Sequence, residues 1–221
     1  MNETLVVTVP GIGRRKNPFL SQLGIEVENQ LGFKTLHLPL EDKRKFSSIG
    51  EKADKGFEKL EQSLKKYSRI IFVGHSQGGL TAQAIINRLS HVNPKIETHL
   101  ITVNSPNNPQ EYLQAQERYE QILGKTGDDL HIGAPIIQTE ASKINRLEDP
   151  IIKPNNPLTE EGIMKHHLLL NEETRKKAIK TTIAEIQSRP YNLPARQVII
   201  TPYTRVERAM TRRRQPTGIH V

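Results

Sequence analysis

The chain has 221 residues, enough for one domain with a sizeable core. Apolar residues make up 35% and charged residues 25%, with no tryptophan, so the sequence reads as a rather polar globular chain whose apolar runs fall far below the ~20 residues of a membrane-spanning helix. The absence of cysteine excludes a disulfide framework, a thiolate metal site and a cysteine nucleophile, and the formal net charge of +8 points to anionic partners.

The N-terminal stretch MNETLVVTVP carries Glu3 and no basic lead, which does not read as a signal peptide. Together with the lack of cysteine, this gives cytoplasmic localisation as the expectation, with non-classical export left open. TLVVTVP is a short β-branched run closed by Pro10 and Gly11, the profile of a buried strand followed by a sharp loop. Leu20, Leu23, Val27 and Leu31 recur at helical spacing, and KTLHLPL reads as a second strand. Residues 51–67 set Ala53, Phe57, Leu60, Leu64 and Tyr67 on one stripe with lysines and glutamates elsewhere, which predicts a surface helix covering the sheet.

RIIFVG is the next strand, followed by a Gly-rich turn, the helix candidate GLTAQAIINRLS and the strand HLITVNSP. QEYLQAQERYEQIL is a further helix candidate, PIIQT a fifth strand, and residues 171–187 a final helix capped by Asn171 with Glu172 and Glu173 at its positive end. Alternating strands and helices argue for an α/β architecture: a mostly parallel sheet with helices on its faces. From Ser188 onward the pattern changes. Pro190, Pro194, Pro202 and Pro216 punctuate a segment with seven arginines against Glu207 alone, so most of the positive charge sits there. This gives two units: a domain over 1–187 and a basic Pro/Arg-rich appendage over 188–221, with a strand at QVIIT and a short basic helix near 205–214.

Gly74-His75-Ser76-Gln77-Gly78 fits G-x-S-x-G between a strand and a helix. A nucleophilic serine there sits on a tight turn that lifts its oxygen above the sheet, and the flanking glycines leave room for that turn. The following helix aims free N–H groups at the same place, favouring a developing anion. No G-x-x-x-x-G-K-[ST] occurs, and the glycines miss the dinucleotide spacing.

With strand, motif and helix in this order, GHSQGG resembles the nucleophile elbow of α/β-hydrolase esterases and lipases, over about residues 5–187. The resemblance implies a three-layer α/β/α sandwich, a catalytic triad on Ser76 and no cofactor or metal. It places one oxyanion-hole donor on the N–H of Gln77 and a second on Ile12, in a Val9–Gly13 loop that carries proline where the family usually has histidine. The segment after His167, LLLNEE, is similar to the stretch following the histidine of monoglyceride-lipase-like members, while the spacing of other small lipases selects His166. Both stay candidates for the base. Family order puts the acid between Ser76 and the histidine, where EDPII resembles an Asp-Pro-Ile-Val loop and marks Asp149, with Glu148 and Glu140 in reserve.

The insertion over residues 107–129 leaves at most a small cap and so a shallow site, suited to a small acyl ester or lipid. Thioester or amide cleavage by the same triad, and an inactive binding protein targeted through its tail, remain alternatives. Arg14, Arg15 and Lys16 follow the oxyanion loop, where they could meet an anionic group, although a solvated cluster explains them as well. The tail suits an anionic membrane surface or a protein partner, whereas the absence of a recognisable nucleic-acid module argues against RNA or DNA.

Overall fold

The computed structural model describes residues 3–11, 17–38, 49–106, 108, 110–112, 114, 117, 138–139, 141–144, 172–189 and 197–198. Five strands form one sheet: β1 (Thr4–Val9), β2 (Lys34–His37), β3 (Arg69–His75), β4 (Glu97–Val103) and β6 (Ala141–Ile144), in the order β2-β1-β3-β4-β6. Every pairing in it is parallel. Four helices accompany these strands: α1 (Pro18–Leu31), α2 (Ile49–Glu61), α3 (Gly78–Val92) and α4 (Glu172–Ser188).

The two faces of the sheet are read off the strand alternation. Leu5, Val7, Val9, Ile70 and Phe72 pack with Ile49, Ala53 and Leu60 of α2 and Leu80, Ile85 and Leu89 of α3. Val6, Ile71, Val73, Ile101 and Val103 pack with Phe19, Leu23 and Val27 of α1 and Ile179 and Ile183 of α4. This is the three-layer α/β/α arrangement. Because helices cover both faces, β1 and β3 are buried along their whole length, which is why they appear in the sequence as unbroken apolar runs.

Two expectations are modified. The helix over 51–67 is α2 to Glu61 and then a separate 3-10 turn, Leu64–Lys66, with Phe57 and Tyr67 half-buried against the core. Of the expected fifth strand, PIIQT, the described residues form β5 (Gln138–Thr139), which pairs antiparallel with β7 (Gln197–Val198) from the QVIIT segment in a separate two-stranded sheet. The main sheet is extended instead by β6, in register from Leu100↔Ala141 to Val103↔Ile144. Among the described strands β6 lies at the edge and pairs on one side only, so its position does not demand an apolar run. No described helix is long and apolar enough to cross a membrane. The short basic helix expected near 205–214 and the Asn171 cap lie outside the described residues.

A polar fastening closes the N-terminal edge of the sheet. The buried Arg69 donates from Nη2 to the Arg189 carbonyl at 2.8 Å, and its Nε lies 3.8 Å from Glu97, which in turn lies 2.6 Å from His99 Nε2. At the C-terminal end of β2, His37 shares a 2.7 Å hydrogen bond with Thr8, while its buried Nε2 has no partner among the described residues. Burial holds this imidazole below its ordinary value of 6.5, because the charged ring would lose hydration. Below about pH 6.5 the unfolded chain therefore takes up a proton that the folded chain resists, and stability declines as pH falls toward the depressed value. We expect thermal unfolding between pH 8 and 5 to show the wild type losing its margin over His37→Gln as the solution is acidified; a margin independent of pH would contradict this.

Candidate functional site

The chain enters the site along β3 and leaves it along α3. Ser76, between them, has φ 55, a left-handed conformation that non-glycine residues rarely adopt. Local bonds hold it there. The Ser76 N–H donates to the Val103 carbonyl at 3.1 Å, and the Ser76 carbonyl accepts from the Gly79 N–H at 3.1 Å. The turn also requires close backbone approach. A Cβ on Gly74 would meet the Gly79 Cα at 2.5 Å, and one on Gly78 would be driven into the Val9 carbonyl oxygen. The glycine spacing of the motif is thus a record of β3, α3 and the end of β1 pressing together.

Sheet topology puts this turn where the strand order reverses. From β1 the chain passes over one face through α1 to β2, whereas the β3 crossover passes over the other face through α3. A reversal of strand order at the C-terminal edge is the usual ligand position in open α/β sheets. The loop after β1 closes directly on the serine: a Cβ on Gly11 would lie 2.8 Å from the Ser76 Cβ and 3.1 Å from its Oγ. β4 ends beside the same place in a second left-handed residue, the buried Asn104 (φ 46), followed by the buried Ser105.

The side chains flanking Ser76 are both buried and both bonded. The Asn17 Oδ1 accepts the N–H groups of Phe19 and Leu20 as the cap of α1, which leaves its Nδ2 to donate to His75 Nδ1 at 3.0 Å. An Nδ1 that accepts must be unprotonated, so this bond selects the neutral ring with its proton on Nε2. Gln77 caps α3, where its carbonyl accepts the Thr81 N–H at 3.1 Å, and its N–H stands just ahead of the helix's unpaired first turn. Its side chain bridges Lys52 Nζ at 2.6 Å and the Tyr112 hydroxyl at 2.6 Å.

Of the residues singled out from sequence, Ser76 and Gln77 thus stand together at the reversal of strand order, with Gly11, neighbour of Ile12, against the serine. Ile12, the basic cluster Arg14, Arg15 and Lys16, the acids Asp149, Glu148 and Glu140, and both His166 and His167 lie outside the described residues. The other described histidines have partners of their own: His37 bonds Thr8, His91 the Asn87 carbonyl and His99 Glu97. Asn17, Lys52 and Tyr112 were not singled out. Lys52 is one of the lysines that the sequence pattern sets off the apolar stripe, yet it is 9% exposed. Its position at i+3 from Ile49 and immediately before Ala53 places it on the buried stripe, and that spacing was the available signal.

Residues 46–133, which span α2, Ser76 and β4, match the family described as "Putative serine esterase (DUF676)". The comparison with curated proteins finds no match. Among solved structures, one described as a "putative cell surface hydrolase" from Lactobacillus plantarum WCFS1 is similar at 14% identity and a TM-score of 0.50, covering 87% of this chain and 94% of that one. Another, described as a "putative hydrolase" from Agrobacterium vitis S4, is similar at 12% identity and a TM-score of 0.51, covering 83% and 88%. With its parallel sheet between two helical layers and its strand-serine-helix turn at the reversal of strand order, the chain has the α/β-hydrolase fold.

Proposed function

We propose that the protein is a serine hydrolase that cleaves carboxylic esters through an acyl-enzyme on Ser76. The observation that carries this reading is the left-handed Ser76 on the β3–α3 turn, with the loop after β1 against its side chain. Backbone strain of this kind persists where the surrounding structure enforces it, and it collects at sites of chemistry.

In the proposed reaction the Ser76 oxygen bonds to the acyl carbon while an imidazole, His167 or His166, accepts the hydroxyl proton. The carbonyl oxygen takes up the electron pair and is held by the N–H groups of Gln77 and Ile12. Collapse of this intermediate breaks the ester C–O bond, and the imidazolium returns the proton to the departing alkoxide. Water then repeats the sequence on the acyl-enzyme and releases the acid. A carboxylate, Asp149 with Glu148 and Glu140 in reserve, orients the ring. The cycle uses side chains, the two backbone N–H groups and water. A small acyl ester or lipid is the proposed substrate, and the arginine-rich segment beyond Ser188 is proposed to meet an anionic membrane surface or a protein partner.

A fluorophosphonate probe tests the nucleophile. We expect one adduct per chain by intact mass, mapped to Ser76 and missing from Ser76→Ala. An unlabelled wild type without ester turnover would overturn the reading in favour of a binding protein, and turnover that survives Ser76→Ala would remove Ser76 as the nucleophile. Turnover of matched p-nitrophenyl esters, thioesters and anilides separates ester cleavage from thioester or amide cleavage.

A further inference from the structure

The side chain of Gln77 joins three elements at the residue next to the proposed nucleophile. Its Oε1 accepts from Lys52 in the first turn of α2, and its Nε2 donates to the Tyr112 hydroxyl in the segment after β4. The orientation of the amide is unambiguous, since an ammonium group can only donate and therefore selects the oxygen. All three side chains are buried: Gln77 is 2% exposed, Tyr112 4% and Lys52 9%.

Both outer anchors are themselves fixed. α2 is tied to α3 by Arg88, whose Nη2 lies 2.7 Å from Asp54 and 3.2 Å from the Gly50 carbonyl. Tyr112 stands on a short helical stretch whose start is closed reciprocally: the Asn108 Oδ1 accepts the Glu111 N–H at 2.9 Å, and the Asn108 Nδ2 donates to the Glu111 carboxylate at 3.1 Å. The Tyr112 N–H then donates to the Asn108 carbonyl at 3.0 Å. A glutamine needed only to fill space would not require a buried ammonium on one side and a phenol on the other, because both are costly to bury and an apolar side chain would serve.

We propose that Lys52 and Tyr112 are positioning residues that hold Gln77 by its side chain, so that its backbone N–H keeps its aim on the oxygen of the tetrahedral intermediate. This rests on the reading of Ser76 as nucleophile and of the Gln77 N–H as an oxyanion donor. A donor contributes to the rate only while it points at the place where charge develops, and it loses that contribution when the first turn of α3 can rock. Releasing the clamp therefore affects the chemical step more than substrate binding.

The test uses the full chain with Gln77→Met, Lys52→Met and Tyr112→Phe, and kcat and KM measured separately on one p-nitrophenyl ester alongside thermal unfolding. We expect kcat to fall roughly 10- to 100-fold in each, with KM nearly unchanged and the rate of fluorophosphonate labelling falling in parallel. Combining Lys52→Met with Tyr112→Phe should cost less than the product of the two single losses, because both act through one amide. Should Gln77→Met fail to fold, Tyr112→Phe, which keeps the ring, decides the matter. Folded variants that retain wild-type kcat, or that lose activity only in proportion to their unfolded fraction, overturn the clamp. Wild-type labelling at Ser76 tells the two levels apart: labelled wild type with unaffected variants removes the clamp alone, whereas unlabelled wild type removes the reading beneath it as well.

Discussion

Ser76→Ala is expected to lower kcat on a small ester by about 10⁴- to 10⁶-fold, the range seen when a member of a serine triad is removed. The residual rate would come from the oxyanion donors and from substrate binding, which the substitution leaves in place. Thermal stability should change little, because alanine keeps the Cβ and inherits the same φ of 55. Ser76→Gly makes the distinction sharper. It should be equally inactive yet more stable than Ser76→Ala by about 1 kcal/mol, since glycine enters the left-handed region without the Cβ penalty. Steady-state kinetics and paired melting curves read both effects, and a fully active Ser76→Ala protein would leave the proposed mechanism without its nucleophile.

Gly78→Ala is expected to be the most damaging single methyl group that can be added near the turn. The new carbon would be forced into the Val9 carbonyl oxygen and would lie 2.7 Å from that of Pro10. Both obstacles are backbone at the end of a central strand, so neither can rotate away, and α3 must lift off the sheet instead. A loss of about 3 kcal/mol or more follows, at the upper end of overpacking effects. For a chain of this size that lowers Tm by roughly 6–12 °C. Gly24→Ala is the control, since its Cβ would make only an ordinary 3.4 Å contact with Thr35 in the interior of α1. There the better helix propensity of alanine should add up to about 1 kcal/mol of stability. Equal melting temperatures for the two variants would contradict the close approach of β1 and α3.

What could be foreseen from sequence follows the physics of each element. β1, β3 and β4 lie in the middle of a covered sheet, so their side chains must be apolar on both faces and the runs TLVVTV and RIIFV advertise them. The turn around Ser76 was legible because close backbone approach admits only glycine at fixed distances from the serine. β6 was missed in favour of PIIQT because an edge strand carries no such demand. Lys52 escaped notice because a charged side chain inside a helix looks solvated until the glutamine that accepts its hydrogen bond is brought to it from 25 residues away. The cap that Asn17 gives to α1 follows from the sequence N-P-F, but its second bond, to His75, spans 58 residues and depends wholly on tertiary structure.

The fastening made by Arg69 lies at the N-terminal edge of β3, and Ser76 follows the C-terminal edge of the same strand. One strand thus carries durability at one end and reactivity at the other, with the buried run from Ile70 to Val73 between them. Substitutions around Arg69, Glu97 and His99 should shift how long the protein survives heat or protease while leaving each surviving molecule as fast as before. The two properties can then be tuned separately, which gives a protein engineer room to trade lifetime against ease of unfolding without altering turnover.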